Sequence, residues 1–125
     1  MNFPSLILVT NGCYDMMCSI CMVMEWGPLA RLHTSLFEIS PSSDAVRFLA
    51  YWVLTYGAVR FACGLYPTEF AILLGAHTYA LEAIFIELEL TVGNHFKSLR
   101  SHVVAAMCTA LALFLFTWTR LAHSA

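Results

Sequence analysis

Charge is what this sequence has least of. Asp, Glu, Lys and Arg make up 11% of its 125 residues and hydrophobic residues 60%, whereas an ordinary soluble domain is about 25% charged. So few charges cannot cover a water-facing surface. A 14.0 kDa chain is also too short to bury that much apolar side chain in a core of its own. A bilayer, or partner proteins within it, must cover the remainder, in keeping with a mean hydropathy of +0.74. Basic residues are scarce as well: six Lys and Arg against eight Asp and Glu leave a net charge of −2 and a pI near 6.2. That excludes a basic face for nucleic acid and a polybasic lipid-binding tail. The first 30 residues hold no Lys or Arg, which argues against a signal-peptide n-region and an Arg-rich presequence. The first apolar segment is therefore expected to remain as a membrane helix. Gly-rich phosphate loops, Gly-x-Ser-x-Gly elbows and paired acids and bases on a soluble domain are missing too, so no catalytic residue is assigned and no enzyme is expected.

Apolar runs are what the chain does have. Each of four runs has about the 20 residues that a helix needs to cross hydrocarbon. They predict an all-α polytopic membrane protein, one transmembrane bundle over residues 1–125, with helices near 4–26, 46–66, 68–90 and 101–119. The first is interrupted by Asn11, Asp15 and Glu25, the third by Glu69, His77, Glu82, Glu87 and Glu89. The connector 27–45 is mildly amphipathic over 29–39, suited to the membrane interface. It ends in Ser40-Pro41-Ser42-Ser43-Asp44, a helix start with a serine cap, proline in the first turn and an acid near the positive helix end. Pro67 predicts a tight turn between the second and third runs. Four crossings put both long connectors on one side, with Arg31, Arg47, Lys97 and Arg100, and leave Arg120 on the other; the positive-inside rule then places both termini on the trans side.

Charges at bilayer depth cost about 2.5 to 3.5 kcal/mol each, so Asp15, Arg60 and Glu82 need partners or water. Counting depth from the turn at Pro67 sets His77 level with Gly57, and predicts one cluster of Asp15, Tyr56, Arg60 and His77, with Glu69 as a second outlet for Arg60. By the same count Glu82 is about 12 Å from Arg60 along the axis and needs another partner, Trp52 or a neighbouring protein. Such a cluster can serve a proton path or a polar ligand, or it can fix which helices pack. Helix fixing is the expectation, because a path needs polar residues running to both faces and the fourth run offers only His102, Thr109 and Thr117.

Small residues four apart let helix backbones approach in lipid. The pairs are Ala58 and Ala62, Ala71 and Gly75, Ala76 and Ala80, Ala106 and Ala110. Cys13, Cys18, Cys21, Cys63 and Cys108 all lie in apolar stretches and are read as reduced packing residues. Cys18-x-x-Cys21 has a metal-like spacing but no clear fourth ligand. Of His77, His95, His102 and His123 only His77 is deep, which argues against a haem held by two histidines. Neither metal nor cofactor is expected, though bound lipid is compatible with the composition.

The stretch from Arg47 through Trp52 to Arg60 resembles the second membrane segment of the ergosterol biosynthetic protein twenty-eight family, which shares the spacing of Arg, Trp and Arg. His77-Thr78-Tyr79-Ala80-Leu81-Glu82 is similar to the His and Glu of that family's next segment. The likeness covers residues 46–90. The turn at Pro67 is shorter than the family's, and Leu121-Ala122-His123-Ser124-Ala125 stands where the family has a basic tail. The resemblance implies a four-span scaffold of the endoplasmic reticulum that has no catalytic residues and tethers enzymes of sterol C-4 demethylation.

Three functions are consistent with these features. The leading expectation is a non-catalytic accessory subunit or scaffold, in contact with lipid, that packs against other integral membrane proteins of a larger assembly. A respiratory complex or ATP synthase of the mitochondrial inner membrane is the class analogy. The second is the sterol-pathway scaffold, and the third a small transporter or ligand-binding membrane protein using Asp15, Arg60, His77 and Glu82.

Overall fold

A computed structural model describes residues 1–124; Ala125, the last residue of the tail segment, lies outside the described residues. Among the described residues four helices are long and apolar enough to cross a membrane, as the composition predicts. Helix α1, Phe3–Met24, begins one residue earlier than expected because Asn2 caps it: the Asn2 carboxamide oxygen accepts from the Ser5 amide at 2.9 Å and the Ser5 hydroxyl at 2.6 Å. Pro4 sits in the first turn, where its missing N–H has no partner to lose. The helix ends by reversing through Glu25 at φ 53°, while the Trp26 amide donates back to the Cys21 carbonyl at 2.9 Å.

Helix α2, Ser43–Leu65, is capped by Ser42, which accepts from the Ala45 amide at 3.3 Å. Asp44 lies in its first turn as predicted, but Pro41 precedes the cap instead of opening the helix. Ser40, Ser42 and Ser43 each offer a cap, and the chain uses Ser42, which leaves Pro41 and the residue it restricts outside the helix. The tight turn at Pro67 is present: the Thr68 amide donates to the Tyr66 carbonyl, and the Thr68 hydroxyl accepts from the Ala71 amide at 3.1 Å to start α3, Glu69–Leu88. One wider turn, Glu89–Gly93, continues α3, and Asn94 at φ 54° breaks it. Helix α4, Ser98–Ser124, overruns the expected 101–119 at both ends; its 27 residues span about 40 Å, more than a 30 Å hydrocarbon layer needs.

The stretch 29–39 is not one continuous helix. It folds into two short turns, Pro28–Arg31 and Thr34–Leu36, and then pairs with the second long connector. Glu38 donates its amide to the His95 carbonyl and Lys97 to the Leu36 carbonyl, each at 2.7 Å. Phe37 and Phe96 meet edge to face at 4.7 Å. Both long connectors thus sit at one end of the bundle, as four crossings require.

Helix α1 packs chiefly along α2 and α3 along α4. The shared core joins Leu8, Cys63, Ile72, Ala76, Tyr79, Ala83, Cys108 and Leu115, so all four helices contribute. The tightest seam is between α1 and α2: a Cβ on Gly12 would lie 2.5 Å from the Phe61 nitrogen, and one on Gly57 2.8 Å from the Asp15 Cβ. Backbones this close are the lipid-phase alternative to interdigitated large side chains. Large apolar side chains face outward on every helix, Met17, Phe48, Phe70, Ile84, Met107 and Leu113 among them. Hydrocarbon tolerates such a surface and water does not.

Candidate functional site

Arg60 sits in the C-terminal third of α2 and is 1% exposed. Its guanidinium reaches three helices. Nη1 donates to the Asp15 carboxylate at 2.8 Å and to the Asn11 Oδ1 at 3.1 Å, both on α1. On α3, Nη2 donates to the Glu82 carboxylate at 2.5 Å and Nε to the Thr78 hydroxyl oxygen at 2.9 Å. The Thr78 hydroxyl in turn donates to the Gly75 carbonyl, and the Tyr79 hydroxyl donates to the Asn11 Oδ1, each at 2.7 Å. The cation lies 3.8 Å from the Tyr79 ring centroid and 4.5 Å from that of Tyr56. Two carboxylates, neutral acceptors and two aromatic faces thus replace the water that a buried guanidinium loses.

Local helix geometry explains who meets whom. Asn11 and Asp15 are four apart on one face of α1, as are Tyr56 and Arg60 on α2; on α3 Gly75, Thr78, Tyr79 and Glu82 form one stripe. The predicted cluster is therefore present around Asp15, Tyr56 and Arg60 but is corrected on α3. His77 is exposed, turned about 200° from Tyr79 on the helix wheel, and takes no part. Glu82 is a direct partner and not an unpaired acid 12 Å away. Side chains lean toward the N-terminus of their own helix; because α2 and α3 run antiparallel, Arg60 and Glu82 lean toward each other and close the gap. Glu69 is not an outlet for Arg60, since it approaches His123 at the far end of α4 at 3.5 Å.

Sequence reasoning missed Thr78, Tyr79 and His33 and gave Asn11 no role. The first two follow the same i, i+3, i+4 stripe as Glu82. His33 comes from the connector and carries no local signal. It brings Nε2 to 4.0 Å from the Asp15 carboxylate, beneath Tyr14, and leaves Nδ1 buried without a hydrogen-bond partner among the described residues. Burial lowers the His33 pKa from its ordinary 6.5; Glu82 opposes the shift and Arg60 reinforces it. The fold therefore favours neutral imidazole, whereas the unfolded chain takes up a proton as pH falls below 6.5, so stability should fall in that direction. The thermal midpoint in detergent should drop between about pH 7.5 and about pH 5.5, and His33→Gln should reduce the drop. An equal drop in the variant would put the acid sensitivity elsewhere.

Of the small residues, Gly75 and Ala76 are buried, with Ala71 and Ala80 partly so, inside the chain's own packing; Ala58, Ala62, Ala106 and Ala110 face outward. The seam that needs small residues most uses Gly12, Gly57 and Gly64 instead. All five cysteines are free, four of them buried. No group of three or more His, Cys, Asp or Glu side chains is placed to hold a metal ion among the described residues.

Fold and site together define an all-α, multi-pass integral membrane protein with an arginine-centred ionic network inside its helix bundle. Comparison with protein-family models, curated proteins and solved structures returns no match.

Proposed function

We propose that this protein is a non-catalytic accessory subunit or scaffold that packs against larger membrane proteins. Glu82, expected from the sequence to need Trp52 or a neighbouring protein, is held inside the chain by Arg60 along with Asp15, so unsatisfied charge does not argue for a partner. The observation that carries the reading is instead the outer surface of α4. Only 22% of its most apolar stretch is buried, against 39% in α1 and in α2, and it presents Ala106 and Ala110 outward beside Met107 and Leu113. Ala58 and Ala62 form a second such strip on α2. These are the places where a partner helix can come closest.

Arg60 supports the non-catalytic part, because its donors point at Asn11, Asp15, Thr78 and Glu82. A respiratory complex or ATP synthase of the mitochondrial inner membrane is the first assembly to examine, and sterol C-4 demethylation enzymes of the endoplasmic reticulum are the alternative. Purification in mild detergent, with identification of co-purifying proteins, tests this. A stoichiometric membrane partner whose recovery falls when Ala106 and Ala110 are both changed to Leu is the expected result. A monodisperse protein of about the chain's own mass, free of partners, would contradict it.

A further inference from the structure

A cavity of about 380 Å³ lies between α2, α3 and the paired connectors, at the small end of the ~300–1,000 Å³ common for ligand pockets. Trp52, Tyr56 and Phe85 line it as a corner of rings: Trp52 stands edge-on to Tyr56 at 78° and to Phe85 at 75°, with both centroid separations 6.2 Å. Leu49 and Ile86 add apolar wall, and Glu82 adds a carboxylate whose other contact is the Arg60 network.

Charge decides what such a space favours. Asp15 and Glu82 share a single guanidinium, so the network has no spare positive charge to offer the cavity. Buried ionic groups favour balance. An anionic head group would meet Glu82, and also Glu89, which His95 contacts at 2.8 Å, on a wall that also carries His33, while the donors of Arg60 already have acceptors. A hydrated inorganic cation gains little from apolar walls. An organic ammonium suits both features: its charge complements the carboxylate, and its weakly hydrated methyl or methylene groups sit well against aromatic faces.

We propose that this cavity binds an amphipathic organic ammonium, its head group against Glu82 within the corner of Trp52, Tyr56 and Phe85. The site is independent of whether the protein is a scaffold.

Changing Trp26 and Trp118 to Phe leaves Trp52 as the only tryptophan and hence as the reporter. In nonionic detergent, decyltrimethylammonium, decanol and decanoate are titrated while Trp52 fluorescence is followed. The ammonium should give a saturable change at a concentration about tenfold below that for decanol, a ratio within the range of a desolvated cation–aromatic contact. Phe85→Leu, which leaves the Arg60 bonds untouched, should weaken ammonium binding severalfold without lowering the thermal midpoint. Glu82→Gln should remove the preference over decanol. Equal or tighter binding of decanol or decanoate overturns the proposal, as does the absence of a saturable response to all three. Unaltered ammonium binding in Phe85→Leu does so too, and that arm does not depend on the folding of Glu82→Gln.

Discussion

Arg60→Leu is expected to cost about 3–5 kcal/mol, the usual penalty for removing one partner of a buried ionic pair, and to lower the yield of assembled protein sharply. The loss is large because one guanidinium serves two carboxylates: without it Asp15 on α1 and Glu82 on α3 are both left inside the bundle with no counter-charge. Total stabilities of about 5–15 kcal/mol leave little margin for that. Arg60→Lys should fall between Leu and the native residue, since a single ammonium lacks the planar fork that addresses Asp15 and Glu82 at once. Adding Asp15→Asn and Glu82→Gln to Arg60→Leu should recover part of the loss by removing the stranded charges. Yield and detergent unfolding of the four proteins provide the comparison; a native yield for Arg60→Leu would remove the network from any structural role.

Gly12→Ala is expected to destabilise by about 1–3 kcal/mol, the range for forcing extra methyls into a packed interface. Its sign is the informative part. In an isolated helix alanine is favoured over glycine by about 0.5–1 kcal/mol, so intrinsic propensity predicts a gain. The added Cβ would lie 2.5 Å from the Phe61 nitrogen and 2.7 Å from the Gly57 carbonyl oxygen, backbone atoms that cannot turn aside. Helices α1 and α2 would have to separate, pulling Asp15 away from Arg60 as they do. Gly75→Ala is the matched control, because its nearest neighbours are terminal atoms of the Leu8 side chain, and a rotamer change can absorb them. Unfolding of the two variants in detergent should show the larger loss for Gly12→Ala, and a gain there would refute the close seam.

What could be read in the sequence follows from how local each cause is. The four spans were legible to within a few residues because hydropathy and caps are local properties; α4 ran longer since nothing in Lys97-Ser98-Leu99-Arg100 stops a helix. The polar centre was half legible. Depth counting brought Asp15, Tyr56 and Arg60 together, but depth without rotation chose His77 over Tyr79 and Glu82, which a stripe at 75, 78, 79 and 82 would have favoured. Glycines inside helices read as weak points, and the alanine pairs drew attention away from Gly12 and Gly57. His33, and the pairing of Phe37 with Phe96, depend on where two connectors far apart in sequence come to rest, and no neighbouring residue announces that.

The central claim is that the chain crosses the bilayer four times and so places Arg60 at bilayer depth. Single cysteines at Asn2, Ser40, Asn94 and Ser124, reconstituted in sealed vesicles and treated with a membrane-impermeant maleimide, test it most directly, with the native protein as the background for its own thiols. Positions 40 and 94 should react from one side and positions 2 and 124 only from the other. Reaction of 40 and 94 from opposite sides, or of 2 and 40 from the same side, would contradict it.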